Sequence, residues 1–117
     1  MYEENYEFPA IIINHSSDDY EIRIYDFEEV TVYDDNLDDC YTSIKEALEG
    51  EIYKYICLNK DIPKATSKED IILDYNQTLF HIKVNTQEAI KNSKRLGVIV
   101  PKDLLFLSVC KIQINKQ

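Results

Sequence analysis

The stretch from Asn36 to Lys60 constrains the fold most strongly, because its apolar residues recur at steps of three and four. This spacing places them on one stripe of an α-helix, and the stripe holds Leu37, Cys40, Tyr41, Ile44, Ala47, Leu48, Ile52, Tyr55 and Ile56. Asn36 is a good N-cap, and Pro63 prevents the helix from continuing. We therefore predict one long helix, weakened at Gly50 by about 1 kcal/mol relative to alanine.

Short apolar or alternating segments on both sides of this helix predict a sheet. Phe8–Asn14 is typical of a buried strand, with Pro9 indicating an edge or entry position. Tyr20–Tyr25 alternates between apolar and polar residues, as a half-buried antiparallel strand does. Val30–Tyr33 and Leu79–Val84 predict two more strands. The predicted fold class is thus α+β: a small, mainly antiparallel sheet in the order β-β-β-α-β, with the long helix across one face.

A second, shorter helix is predicted after the fourth strand. Asn85 is its N-cap, Glu88 is the capping-box partner, and Gly97 suits the position that follows its last turn near Arg95. Beyond Gly97 the pattern fits both strand and helix. We therefore divide the chain into one α+β domain, residues 1–90, and a short helix or strand appendage, residues 91–117.

The composition predicts a single domain with a real core. The chain has 117 residues, of which 44% are apolar, and it contains no apolar run of about 18 residues that would span a membrane. The first residues lack the basic and apolar regions of a signal peptide. Cys40, Cys57 and Cys110 have no CxxC spacing and are interpreted as small buried thiols. A reducing cytoplasm is the expected location.

The net charge of −9 is distributed unevenly along the chain. Residues 1–50 contain 15 acids against Arg23 and Lys45, a net charge of −13, whereas residues 51–117 contain 7 acids against 11 basic residues, a net charge of +4. An acidic half repels nucleic acid and attracts a basic protein partner. The alternative is that the acidic charge only keeps a small domain soluble.

The sequence predicts no catalytic residue, metal site or cofactor. A calcium loop that starts at Asp34 fails because Asp39 stands where glycine is needed and Lys45 where a bidentate glutamate is needed. His15 and His81 have no cysteine or histidine at metal-ligand spacing. An enzyme would require one of these histidines to lie beside a cysteine or a carboxylate in a cleft.

Tyrosine is abundant, with nine residues concentrated in the acidic part. Tyrosine is favoured at protein interfaces because it gives a large rigid contact area with a polar tip, although it is also common in strands. Tyr25 and Tyr33 are assigned to the outward strand faces, and Tyr53 lies off the helix stripe. Together with two nearby acids, the candidate partner-binding residues are Tyr25, Glu28, Glu29, Tyr33 and Tyr53.

A short basic segment near the C-terminus is the one candidate for contact with nucleic acid. Its basic residues are Lys91, Lys94, Arg95 and Lys102. Side chains of this type bind phosphate.

Five phrases of the sequence, in their order, resemble the HicB antitoxin family. They are FPAIII (8–13), YEIRIYDFEE (20–29), TSIKEALEGEIYKYI (42–56), DIPKATS (61–67) and LFHIKVNTQEA (79–89). A sixth, KRLGVIVPKDLL (94–105), is similar to the start of the ribbon-helix-helix segment of many members. The chain departs from the family pattern at 26–29, which lack the loop proline and glycine, and after Leu105, where too few residues follow for two helices.

The resemblance implies a partial RNase H-like fold without catalysis and an antitoxin that binds and masks a small basic HicA-type RNase. It also implies a homo-oligomer, and the shortened end makes DNA-binding autoregulation through 91–117 the lesser alternative. Another alternative is a degenerate relative that serves only as an oligomerisation or protein-interaction module.

Overall fold

The computed structural model describes residues 2–98, which form a four-stranded antiparallel sheet with two helices packed against one face. The strands are β1 (Asn5–Ser16), β2 (Asp19–Ile24), β3 (Phe27–Asp34) and β4 (Gln77–Asn85), and the helices are α1 (Leu37–Cys57) and α2 (Thr86–Leu96). The strand order is β3-β2-β1-β4. The predicted α+β class and element order are confirmed, while the predictions for residues 99–117 lie outside the described residues.

Helix α1 begins where its sequence predicts. The side-chain oxygen of Asn36 accepts a hydrogen bond from the Asp39 backbone N–H at 3.0 Å, and Asp38 and Asp39 occupy the first turn. The helix continues without interruption through Gly50. It ends at Cys57, three residues earlier than Lys60, because the chain reverses at Asn59, whose φ of 57° lies in the left-handed region that asparagine tolerates.

Strand β1 lies in the interior of the sheet, so the edge position inferred from Pro9 is wrong. β1 pairs with β2 on one side and with β4 on the other. Pro9 is tolerated because it lies just before the paired stretch of β2, which starts at Ala10 opposite Ile24. Pro9 lies opposite Tyr25, so its missing N–H ends the ladder towards β2, while its carbonyl still accepts a hydrogen bond from the Tyr25 N–H at 3.0 Å.

Strand β3 is longer than the predicted Val30–Tyr33, because residues 27–29 also belong to the strand. The register between β2 and β3 shifts between Arg23 and Ile24, so the strand accommodates extra residues at this end. Phe27 is 1% exposed. Its ring contacts Phe8 and Tyr55 edge to face at centroid distances of 5.0 and 5.4 Å. This aromatic packing fixes the start of β3 against the core.

The main core lies between the sheet and the helices. Its fully buried members include Phe8, Ala10, Ile22, Ile24, Cys40, Ile44, Leu48, Ile52 and Ala89. The apolar stripe predicted for α1 supplies the helical half of this core. Cys40 and Cys57 are buried, as predicted, and Cys110 lies outside the described residues. On the opposite face of the sheet, a small cluster of Ile11, Ile13 and Ile71 covers part of β1.

Helix α2 also follows its predicted signals. The Asn85 side chain accepts a hydrogen bond from the Glu88 N–H at 2.9 Å, and Gly97 ends the helix with a φ of 74°. Ala89 belongs to the main core, so α2 packs as part of the domain. The proposed division after residue 90 falls within this helix, and most of residues 91–117 lie outside the described part, so the division stays a prediction.

Candidate protein-interaction surface

Strand β3 forms one edge of the sheet and carries most of the residues predicted to bind a partner. An edge strand presents unpaired backbone groups on its outer side. Glu28 and Glu29 are exposed near the start of the strand, and the Tyr33 side chain is 68% exposed near its end. Tyr25, 41% exposed, lies in the turn that connects β2 to β3. We call these four residues, Tyr25, Glu28, Glu29 and Tyr33, the β3 edge surface.

The β3 edge surface is elongated. Tyr33 lies opposite Glu21 of β2, and Tyr25 lies four residues further along the chain from Glu21. At about 3.3 Å per strand residue and about 4.8 Å between strands, Tyr25 and Tyr33 are separated by roughly 14 Å, with the two glutamates at the Tyr25 end. Beyond Tyr33 the negative charge continues through acids at the end of β3 and in the first turn of α1, namely Asp34, Asp35, Asp38 and Asp39. Asp38 and Asp39 lie at a helix N-terminus, where negative charge is favoured, and they also extend the acidic stretch that follows Tyr33 in the sequence.

Glu29 has a specific partner on α1. Its carboxylate accepts a hydrogen bond from the carboxyl group of Glu51, which lowers the pKa of Glu29. Glu51 is 8% exposed; its burial and the neighbouring Glu29 raise its pKa. Lys54 Nζ lies 3.2 Å from Glu51 Oε1. Of the two carboxyl groups, Glu51 therefore keeps its proton to the higher pH, and its hydrogen bond to Glu29 ties β3 to the middle of α1.

Tyr53 lies off the apolar stripe, as predicted, but it is buried, so its assignment to an exposed partner-binding surface is wrong. The residue is 8% exposed, and burial together with a hydrogen bond to Cys57 raises its pKa to about 12. Glu49, Tyr53 and Cys57 follow one another at intervals of four along α1, and the Asn92 side chain of α2 lies 3.3 Å from Glu49. Helix α2 thus gives α1 a second buried side.

The basic residues predicted to contact nucleic acid lie on α2. Lys91, Lys94 and Arg95 are exposed, and their spacing of three and four places them on one side of the helix. Lys102 lies outside the described residues. Lys94 and Arg95 also occupy the last turn, where positive charge stabilises a helix.

The two histidines lie in different surroundings. His15 Nε2 is 2.8 Å from Glu21 Oε1, and Arg23 holds the other oxygen of the same carboxylate at 2.7 Å. His81 is exposed on β4. Within residues 2–98 no cysteine or hydroxyl group is hydrogen-bonded to either imidazole, and no group of three potential ligands could hold a metal ion. His15 thus lies beside a carboxylate, which meets one of the two conditions stated above for an enzyme.

Two concave sites were not expected from the sequence. One is a 410 Å³ groove between α1 and the outer edge strand β4, where the rings of Tyr41 and Phe80 meet at right angles with centroids 5.1 Å apart. The other is a 530 Å³ cavity between the first half of β1 and residues 61–65. Both depend on the order of the strands and on where their ladders end, which the sequence pattern does not encode directly.

Among the helices formed by residues 2–98, none combines the length and the apolar character that crossing a bilayer requires.

Comparison with known proteins identifies the fold. No protein-family model matches the sequence, and no curated protein matches it. The chain is similar to the crystal structure of the N-terminal domain of Burkholderia pseudomallei antitoxin HicB, with a TM-score of 0.61 and 19% identity over 68% of this chain and 99% of that one. It is also similar to the crystal structure of the Burkholderia pseudomallei antitoxin HicB itself, with a TM-score of 0.63 and 17% identity over 96% of this chain and 88% of that one.

A third similar structure is a toxin–antitoxin complex from Streptococcus pneumoniae, with a TM-score of 0.58 and 12% identity over 97% of this chain and 99% of that one. The three structures share the strand and helix arrangement despite low identity, so the likeness concerns the fold. The resemblance drawn from five short phrases is thereby confirmed at the level of architecture. This chain has the fold of the HicB antitoxins.

Proposed function

We propose that this protein is an antitoxin-like module that binds a small basic HicA-type mRNA-cleaving toxin and masks the surface with which that toxin contacts RNA. The observation that carries the proposal is the β3 edge surface, an exposed strand edge with two exposed tyrosines and two glutamates. The likeness to solved HicB antitoxins, one structure being a toxin–antitoxin complex, supports it.

Electrostatics explains why such an edge suits a basic RNase. A protein that binds RNA carries positive charge on its RNA-contacting surface, and the same charge is attracted to an acidic edge. The acids that extend from Asp34 into the first turn of α1 strengthen the negative electrostatic potential around Tyr33. Tyr25 and Tyr33 add rigid aromatic contact area of the kind that dominates interface energies. Binding there places carboxylates where RNA phosphates would otherwise lie.

Co-production with the product of the adjacent gene tests the proposal. We expect the two proteins to co-elute in size-exclusion chromatography at low salt, and the complex to weaken as salt rises because exposed charges are screened. Glu28→Lys should weaken the complex several-fold. The matched control is Asp74→Lys, which makes the same change at an exposed residue of the loop before β4.

An RNA-cleavage assay with the same proteins tests masking. Addition of the wild-type chain should suppress cleavage by the partner, and the Glu28→Lys variant should suppress it less at equal concentration. Failure to co-elute at low salt would contradict the proposal. A stable homo-oligomer that ignores the basic partner would instead favour the oligomerisation module, which light scattering of the purified chain would identify.

DNA binding by the C-terminal basic residues is a second candidate function, favoured by the common exposed side of α2 that holds Lys91, Lys94 and Arg95. Filter binding to the promoter region of its own gene at several salt concentrations measures it. Phosphate contacts by these side chains would make the logarithm of affinity fall with the logarithm of salt concentration. Lys91→Glu should reduce both the affinity and that slope.

A further inference from the structure

Strand β1 is paired over different lengths on its two sides. Its ladder with β4 runs from Asn5 to Ile13, whereas its ladder with β2 starts only at Ala10. The last hydrogen bond on the β2 side joins the Tyr25 N–H to the Pro9 carbonyl at 3.0 Å. Residues 5–8 therefore have a strand neighbour on one side only, although β1 lies inside the sheet.

The backbone of Glu7 points into this open side. The two polar backbone groups of a strand residue point to the same side, and this side alternates along the strand. The Pro9 carbonyl points towards β2, so the N–H and carbonyl of Glu7 point the same way. Among residues 2–98, no hydrogen bond to either group of Glu7 is formed on that side. One donor and one acceptor are thus available at the spacing of a sheet.

A cavity of about 530 Å³ occupies the place where a longer β2 would run. Residues 5–8 of β1 form one wall, and residues 61–65, which follow α1, form the other. This second wall is fixed at both ends. The Tyr2 hydroxyl donates to the Lys60 carbonyl at 2.7 Å, and Thr66 donates from its N–H and its hydroxyl to the Asp26 carboxylate at 3.0 and 2.5 Å. The space is therefore held open by the folded chain.

The charges around the cavity specify what it would accept. Among the described residues, three acids, Glu3, Glu7 and Asp61, and one cation, Lys64, line it. Apolar surface from Tyr6, Ile62 and Pro63 lines the same space. A strand-like peptide with alternating basic and apolar side chains complements such walls.

We propose that this cavity binds an extended Lys- or Arg-containing peptide segment, which pairs with the backbone of Glu7 as an added strand beside β1. The bound strand occupies the position that β2 leaves empty, about 4.8 Å from β1. The site is separate from the β3 edge surface. The inference holds whether or not the basic partner proposed above exists.

Fluorescence anisotropy with a labelled peptide, Lys-Val-Lys-Val-Lys-Val-Lys, tests the site. We expect saturable binding to the wild-type chain, and loss of that binding when alternate backbone nitrogens of the peptide are methylated, because methylation removes its N–H donors and keeps its charge. The matching Glu-Val peptide should not bind. Equal binding of the methylated and unmethylated peptides would overturn the proposal.

Variants locate the site. Glu7→Pro removes the free N–H without removing a bond of the β4 ladder, and it should weaken binding about fivefold relative to Glu7→Gln, which removes only the charge. Asp61→Lys should weaken binding, whereas Asp74→Lys should not. If Glu7→Pro does not fold, hydrogen exchange of the Glu7 amide in the wild type tests the site instead. The peptide should slow this exchange, and an unchanged exchange rate would overturn the proposal.

The peptide experiment separates this proposal from the function proposed above. Loss of toxin binding in Glu28→Lys with unchanged peptide binding would support both sites as independent surfaces. Peptide binding that Glu28→Lys weakens and Glu7→Pro leaves intact would overturn the cavity as the binding place.

Discussion

Arg23 Nη2 donates a hydrogen bond of 2.7 Å to Glu21 Oε2 on the face of the sheet that the helices leave uncovered. The other oxygen, Oε1, lies 2.8 Å from His15 Nε2. Glu21 itself is 3% exposed. Burial alone would raise the pKa of Glu21, but the hydrogen bonds with His15 and Arg23 outweigh it and lower that pKa. The fold thus keeps a buried carboxylate ionised.

Replacing Glu21 by glutamine should lower the free energy of unfolding by about 1–2 kcal/mol at pH 7, because the charge-assisted hydrogen bonds are lost. The folded-state pKa is the lower one, so the stabilisation is fully present above the unfolded value of about 4.3 and is lost as pH falls through the folded value. Urea unfolding of wild type and variant at pH 7 and below pH 4 measures the stability difference and its loss at low pH. A difference between wild type and variant that stays constant with pH would contradict the prediction.

Replacing Glu51 by glutamine should stabilise the protein by about 1 kcal/mol at pH 8 and change little at pH 4. Burial, followed by the proximity of Glu29, raises the pKa of Glu51, so the wild type loses stability as pH rises through that value, whereas glutamine stays neutral. The lost ion pair with Lys54, which is one-third exposed, matters little. Thermal unfolding at the two pH values measures the effect, with Glu46→Gln at an exposed position of α1 as the control.

The two glycines should respond to alanine in opposite directions. At Gly50, inside α1, a new Cβ would lie 3.5 Å from Val98 Cγ2, an ordinary contact, so Gly50→Ala should stabilise by about 0.5–1 kcal/mol. At Gly97 the φ of 74° disfavours a side chain, although a new Cβ would meet no atom of residues 2–95 within 4 Å, so Gly97→Ala should destabilise by about 1 kcal/mol. Chemical denaturation measures the free energy of unfolding of both variants. A change in the same direction for both would contradict the prediction.

Tyr33 and Tyr53 should differ in their effect on the proposed partner. Truncating Tyr33 to alanine removes an exposed ring from the β3 edge surface and should weaken the complex by about 1–2 kcal/mol, without loss of folding stability. Tyr53→Phe removes a buried hydroxyl that is hydrogen-bonded to Cys57, so it should reduce folding stability and leave the affinity for the partner unchanged. Calorimetric titration of the partner with each variant, beside thermal unfolding, measures both quantities.

Local signals predicted the helix starts and the strand cores well. Asn36 and Asn85 cap their helices as expected, because capping depends on a few neighbouring residues. Phe80, Ile82 and Val84 face the core because alternation along a strand is a local property. The start of β3 at Phe27 was missed, since an irregular register does not follow strict alternation.

The candidate site was predicted only in part, because exposure depends on tertiary packing. Tyr25 and Tyr33 are exposed as assigned, whereas Tyr53 is buried on the side of α1 that α2 covers. The stripe on α1 accounts for packing against the sheet and carries no information about a second helix. The edge position inferred from Pro9 was wrong for a similar reason, since the sequence does not show that the pairing of β1 with β2 ends at Ala10, next to Pro9.

The ladder between β1 and β4 joins residues as far apart as Asn5 and Asn85, and this separation sets the order of events during synthesis. The β1–β2 hairpin can form as soon as it leaves the ribosome, but the other side of β1 can pair with β4 only after about sixty more residues have emerged. A nascent or prematurely terminated chain that lacks β4 therefore exposes an apolar strand flank to other chains, and such fragments should aggregate.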